Sequence, residues 1–246
     1  NRLSLGRGGP KDLYSIYKGL NNSIKLCKII LENLKYLKGN NFFIKFIELT
    51  NKNNAIKKII NTLENALGEN LPVFARDGNF IKPGFDTRLD EVRKYRDQAK
   101  ILIVDEEKKE KILSGINNLK IKYNSFFGYF LDISRTNNNK LDNTSGHYIH
   151  RQTLKNTFRY TTKNLISISE KILNANFETQ ELENKIYDNL VNLILKSSEH
   201  ILNISNIIAR VDVAMSWAVY SKKFDCTRPI IKKSYDFEIK EGRHPS

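Results

Sequence analysis

Several groupings of residues in this 246-residue chain have types and spacings that could do chemistry. His147 and His150 stand in H-x-x-H spacing, but zinc takes four ligands and no Cys or carboxylate cluster completes the set, so no metal site is expected. Asp105, Glu106, Glu107 and Glu110 interleave with Lys108, Lys109 and Lys111, which reads as a solvated helix face rather than an acid/base pair. Gly6-Arg7-Gly8-Gly9 precedes a helix and could hold an anion at its N-terminus. With no strand before it and no phosphate-reaching Lys/Ser pair, it reads as a turn between helices. A phosphate loop needs Gly-x-x-x-x-Gly-Lys-Ser/Thr to wrap phosphates in backbone N–H groups, and no such run occurs. No catalytic residue is therefore expected within this chain, and no cofactor.

The remaining grouping is different. Arg151, Gln152, Thr153, Lys155 and Asn156 bring cationic and neutral hydrogen-bond donors into one short run, the mixture that phosphate oxygens accept from proteins fixing register without reading sequence. Lys120, Lys122 and Asn124 recur at alternate positions and could add donors from one strand face, with Arg159 nearby. The charge distribution agrees. The whole chain carries +14 with a pI near 9.6, but 29 asparagines and abundant Lys and Ile mark an A/T-rich coding bias that inflates any such total. Between Lys111 and Lys163, nine Lys/Arg stand against two acids, so half of the excess falls in about a fifth of the length. A coding bias alone would spread it evenly. Clustered cations gain from releasing counterions condensed on nucleic acid, which makes a polyanion the expected partner. Tyr123, Phe126, Phe127, Tyr129 and Phe130 could stack on bases, but a module this small needs its aromatics for its own core.

Helices and strands must position these residues. Pro10 opens a helix with Asp12 in its first turn, Ile24, Cys27, Ile30, Leu34 and Leu37 continue at helical spacing, and Ile56, Ile59, Ile60, Leu63 and Leu67 form another helix. Asp77-Gly78 between short apolar runs over 73–81 predicts a small hairpin. Thr87 is the expected cap of a helix carried by Leu89, Val92, Arg96, Ala99, Ile103 and Ile112, about 40 Å long. Leu119, Ile121 and Tyr123, then Tyr129, Leu131 and Ile133, alternate as two strands with Gly128 near their turn. Arg135 to Gly146 reads as a mobile loop, and Tyr148-Ile149 as the entry to a further strand. From Thr162, Leu165, Ile168, Ile172, Leu182, Ile186, Leu190 and Leu193 predict a returning helix of roughly 50 Å, followed by one through Ile201, Ile204, Ile208, Val211, Met215 and Ala218. Met215 and Trp217 are expected in the core, as are the reduced thiols of Cys27 and Cys226. No apolar run reaches the ~18 residues a membrane-spanning helix needs. The fold class is mainly α: long antiparallel helices and a helical core with a small β-rich module inserted at the tip.

Leu5-Gly6-Arg7-Gly8-Gly9-Pro10-Lys11-Asp12-Leu13, Arg76-Asp77-Gly78, Gly84-Phe85-Asp86, Leu89-Asp90-Glu91, Phe127-Gly128-Tyr129, Tyr148-Ile149-His150-Arg151-Gln152-Thr153-Leu154-Lys155-Asn156, Arg159-Tyr160 and Glu241-Gly242-Arg243-His244-Pro245 follow one another as in MutS-type DNA mismatch-repair proteins. The chain resembles that family over essentially its whole length, and the Arg-Gln-Thr-Leu-Lys-Asn run is the most specific match. His150 stands where a second basic residue is frequent, and Thr157-Phe158 where Ala-Glu is common. The resemblance implies a core and first lever over 1–98, a DNA clamp over 99–169, returning levers over 170–234, and the truncated start of an ATPase domain over 235–246. It implies that Lys120, Lys122, Asn124, Arg151, Gln152, Thr153, Lys155, Asn156 and Arg159 meet the backbone of double-stranded DNA. The mismatch reader and the ATPase, with its ATP and magnesium, would lie outside this chain. The implied partners are a homo- or heterodimeric MutS-type subunit and a MutL-type protein, in the bacterial cytoplasm or another intracellular place with access to DNA. An alternative is a MutS-homologue scaffold acting in recombination or partner binding. A MutS branch that lacks the clamp fits less well, because the clamp-like segment is present.

Overall fold

The computed structural model describes residues 2–33, 41–141, 146–235, 237–240 and 242. Helix α1 (Pro10–Glu32) begins at a residue with no N–H to lose, and the Gly9 N–H donates to Asp12 Oδ2 at 2.8 Å. Crowding dictates the glycine: a Cβ on Gly9 would lie 2.0 Å from the Val73 carbonyl oxygen. The glycine-rich turn thus lets two backbone segments pack closely. Leu34 and Leu37, expected to extend this helix, lie outside the described residues.

Helices α2 (Asn41–Thr50) and α3 (Asn54–Ala66) follow. Asn53 caps α3 by accepting from the N–H groups of Ala55 and Ile56. The hairpin predicted over 73–81 does not form. Ala75–Asp77 makes a single 3-10 turn, Gly78 and Asn79 take positive φ, and the only pairing nearby is the isolated bridge of Leu67 with Ile81. The segment is instead tied to a distant helix, where the carboxylate of Glu183 accepts from Asn79 N–H at 2.6 Å.

Helix α4 (Thr87–Ser114) is capped by Asp86, not Thr87: Asp86 Oδ1 accepts from Leu89 N–H at 2.9 Å. It leads into strands β1 (Lys120–Asn124) and β2 (Gly128–Ser134), then β3 (Ile149–Thr153) and β4 (Thr157–Thr161), which form one antiparallel sheet in the order β1-β2-β4-β3. Helix α5 (Lys163–Leu195), capped by Thr162, returns alongside α4, and α6 (Ser198–Lys223) follows. Arg88 meets Glu178 and, further along α4, Glu106 accepts from Asn164 near the start of α5. Contacts that advance on one helix and retreat on the other make the pair antiparallel. The chain is therefore mainly α with a small antiparallel sheet between its two longest helices.

Hydrophobic packing is divided accordingly. One large cluster joins Leu13, Leu20, Cys27, Phe46, Ile56, Ile59, Leu63, Phe80 and Leu89 to Ile186, Leu190, Ile194 and Ile204. A smaller one, Ile116, Leu119, Leu131, Ile133, Leu141, Tyr160 and Leu165, underlies the sheet. Between them Ala99, Ile168 and Ile172 form a small buried patch, and Val92 and Ala175 on the same two helices are buried as well. Buried acids fill part of this stalk and depart from the expected solvated face. Glu106 is 4% exposed and Glu110 1%, with Glu110 Oε1 2.9 Å from His147 Nε2. Burial and then the neighbouring Glu110 raise the phenol of Tyr148 well above its ordinary value. Ile112, expected on the inner face of α4, is 82% exposed.

Two other expectations are corrected. Met215 and Trp217 are 59% and 64% exposed, since the second half of α6 extends past the helical core. Cys27 is buried but Cys226 is exposed. The described first part of the loop from Arg135 contains a 3-10 turn over Asn138–Lys140, where Tyr160 Oη donates to Asn138 Oδ1 at 2.8 Å and Asn137 Nδ2 donates to Asn118 Oδ1 at 3.1 Å. Among the described residues no helix is long and apolar enough to cross a membrane.

Candidate nucleic-acid interface

Alternation along the strands sorts the module into two faces. Ile121, Leu131, Ile133, Phe158 and Tyr160 enter the small core. The opposite face carries Lys120, Lys122 and Asn124 from β1, Phe130 and Asp132 from β2, Arg159 from β4 and Gln152 from β3. Strand register sets Lys120 against Asp132, Asp132 against Arg159, and Arg159 against Gln152, so one row crosses all the strands. Neighbours in such a row are about 5 Å apart, close enough to interact directly.

The row is bonded as well as aligned. Arg159 Nη1 donates to Gln152 Oε1 at 2.8 Å, and its guanidinium carbon lies 4.6 Å from the centre of the Phe130 ring. Phe130 is 2% exposed although it stands on the polar face. Lys122 pairs with Asp132 Oδ2, and Lys120 Nζ lies 3.7 Å from Glu107 Oε1 of α4. Glu107 also accepts from Lys111 at 2.7 Å and from the Ile121 N–H at 2.9 Å, which occupies a backbone donor on edge strand β1. Burial pushes the Glu107 carboxyl up, but the hydrogen bonds from Lys111 and Ile121 and the charges of Lys111 and Lys120 outweigh it, leaving the group below the usual range.

The other predicted residues divide between the two ends of the sheet. Lys155 and Asn156 are exposed in the β3–β4 turn, which Leu154 N–H closes by donating to Thr157 O at 2.8 Å. Thr153 Oγ1 lies 2.9 Å from His150 Nε2. Asn124 is engaged in the β1–β2 turn, where its Oδ1 accepts from Phe126 N–H at 2.7 Å. Arg151 is the unpaired residue of a bulge, since His150 pairs with Tyr160 while Gln152 pairs with the adjacent Arg159. It borders a recess lined also by Lys100, Tyr123, Phe126, Tyr129 and Leu173. The structure thus brings Lys120, Lys122, Gln152 and Arg159 onto one face and sets Lys155 and Arg151 apart from them. No ion pair involves Arg151 or Lys155 among the described residues.

The expected packing of the aromatics into the module core holds for Tyr129, which lies half-buried against it, whereas Phe130 is buried under Arg159 on the opposite face and Tyr123 is 62% and Phe126 84% exposed. A residue missed as a site candidate is Arg135, whose N–H donates to Asn156 O at 3.0 Å and which is exposed beside the β3–β4 turn. Its signal was its place in the local charge excess. Among the described residues no group of His, Cys, Asp and Glu could hold a metal ion.

These features define a helical protein bearing a basic antiparallel module at the end of a two-helix stalk. Residues 84–178, which span α4, the sheet and the first half of α5, match the family model described as MutS family domain IV. The chain is 35% identical over 246 residues to the DNA mismatch repair protein MutS of Nitrobacter winogradskyi, covering 99% of this chain and 27% of that protein. It is 33% identical to the MutS of Bartonella quintana, covering 100% of this chain and 27% of that one. With the MutS of Thermodesulfovibrio yellowstonii it shares 33% identity over 96% of this chain and 26% of that protein. The chain belongs to the MutS family. It spans about a quarter of the length of the curated relatives it matches.

Proposed function

We propose that this segment serves DNA mismatch repair by gripping the backbone of duplex DNA through its sheet module, with α4 and α5 acting as levers to an ATPase domain elsewhere in the full-length protein. The observation that carries the reading is the concentration of Lys120, Lys122 and Arg159 on the sheet face turned away from the module core, with Arg135 and Lys155 exposed by the β3–β4 turn and Arg151 exposed at the β3 bulge. Phosphate oxygens accept from such donors whatever the base sequence, so the grip is non-specific and leaves mismatch reading to another part of the protein. Core and first lever over 1–98, clamp over 99–169, returning levers over 170–234 and the start of the ATPase domain over 235–246 form the corresponding division. ATP and magnesium act in that domain, and MutS-type and MutL-type partners act on the whole protein.

The antiparallel α4–α5 pair supports the lever role because a buried ionic node holds it together: Arg93 pairs with Glu183, which is 1% exposed, and donates to Ile81 O at 3.0 Å. Photocrosslinking from probes at Lys155 and at Lys57 on α3 tests the assignment. The proposal expects DNA adducts from the first position only. Adducts from Lys57 alone would contradict it.

A further inference from the structure

The proposed interface contains its own competitors for phosphate. Asp132 has a side chain 14% exposed and fixed in the middle of the sheet, whereas Lys122, 58% exposed, reaches across to it. Glu107 is 20% exposed and held by Lys111 and the Ile121 N–H, whereas Lys120 is 65% exposed. In both pairs the acid is the more buried partner and the lysine the more exposed one. Asp132 is one of only two acids between Lys111 and Lys163, and register puts it between Lys120 and Arg159. Among the described residues its Oδ1 is buried without a hydrogen-bond partner, as is Nε of the neighbouring Arg159. An orphaned buried oxygen costs stability, so the position is not explained by packing alone.

Resting on the DNA-backbone reading above, we infer that Asp132 and Glu107 are internal counter-anions that occupy Lys122 and Lys120 in the DNA-free protein, so that phosphate engages these lysines only by displacing a carboxylate. Lys155, Arg151 and Arg135 make no ion pair among the described residues and take the first contact. The β1 lysines contribute second and less than their charge implies. The two acids therefore set the strength of a grip that is independent of sequence, which makes them determinants of how tightly undamaged DNA is held.

The test uses the full-length protein and a matched duplex without nucleotide. Asp132→Asn preserves shape and removes the charge, and Glu107→Gln does so independently while its amide oxygen can still accept from Ile121 N–H. Exposed ion pairs are weak, so each variant is expected to raise affinity about two- to fivefold. Lys122→Ala is expected to cost more affinity in the Asp132→Asn background than in the parent. Unchanged or weaker binding by both charge-neutral variants, with circular dichroism unaltered and Lys155→Ala still weakening binding, overturns the inference. If Lys155→Ala also has no effect, the backbone-grip reading itself fails. Should Asp132→Asn not fold, Glu107→Gln decides, with Lys120→Ala in place of Lys122→Ala.

Discussion

The guanidinium of Arg159 lies over the ring of Phe130, 4.6 Å from its centre, and this contact lets an aromatic side chain stand on the polar face of the sheet while only 2% exposed. Arg159 is thus both part of the roof of the module and one of the donors of its proposed interface. Arg159→Lys keeps the charge but loses the planar stack and the fixed bond to Gln152. It is expected to weaken duplex binding modestly and to speed hydrogen exchange in β2 and β4. Arg159→Ala should destabilise the module by about 1–2 kcal/mol through loss of the cation–π contact and exposure of Phe130. Unchanged exchange in both variants would remove Arg159 from this role.

Arg93 and Glu183 make the second testable relationship. Removing the cation leaves a carboxylate 1% exposed whose remaining partner among the described residues is the Asn79 N–H. Arg93→Ala should therefore cost about 3–5 kcal/mol. Adding Glu183→Gln should recover part of that loss, because the buried charge is gone. Thermal unfolding of the single and double variants measures both effects.

Such a node was hard to anticipate from sequence, because ninety residues separate its partners and neither carries a local signal. The long helices and β1 and β2 were legible, since period 3.6 and period 2 persist over enough residues to be unambiguous. Strand β4 is hard to recognise although Phe158 and Tyr160 alternate around Arg159, because it is short and directly follows the polar donor run over 151–156. Helix α2 is short and its run Phe42-Phe43-Ile44-Lys45-Phe46-Ile47 is almost continuously apolar, a pattern that does not separate a helix from a buried strand. Asp77-Gly78 suggested a hairpin, but Glu183 supplies a partner for the Asn79 N–H that no local pattern reveals. Residue type alone puts Trp217 in a core, but type does not say whether a helix face has anything to pack against. Of the site, the cluster on the sheet face followed from alternation. The carboxylate partners of Lys120 and Lys122 did not, because one comes from α4 and the other from a neighbouring strand.

Gly9→Ala tests the tight turn ahead of α1. Its new methyl group would fall 2.0 Å from the Val73 carbonyl oxygen, forcing two backbones apart. A loss of about 1–3 kcal/mol is expected in chemical denaturation, typical of overpacking. Gly19→Ala, where a Cβ meets nothing within 4 Å on the same helix, should be neutral or slightly stabilising.

Acid stability should depend on Glu107. Its folded-state carboxyl lies below the usual range, so the stability it contributes is fully present above the unfolded value of ~4.3 and is lost as pH falls through the folded value. Glu107→Gln should therefore be less stable than the parent at neutral pH, with the difference shrinking below about pH 4. A difference that stays constant across the acid range would show that Glu107 acts through packing.

The most direct test of the central claim is the salt dependence of duplex affinity for the full-length protein and its Arg151→Ala and Lys155→Ala variants. With about four phosphate contacts per clamp, log K against log salt should fall with a slope near about −3.6, and each substitution should reduce its magnitude by about one unit. The loss should be the same on matched and mismatched duplexes. A slope close to zero, or a loss confined to mismatched DNA, would contradict a grip on the backbone.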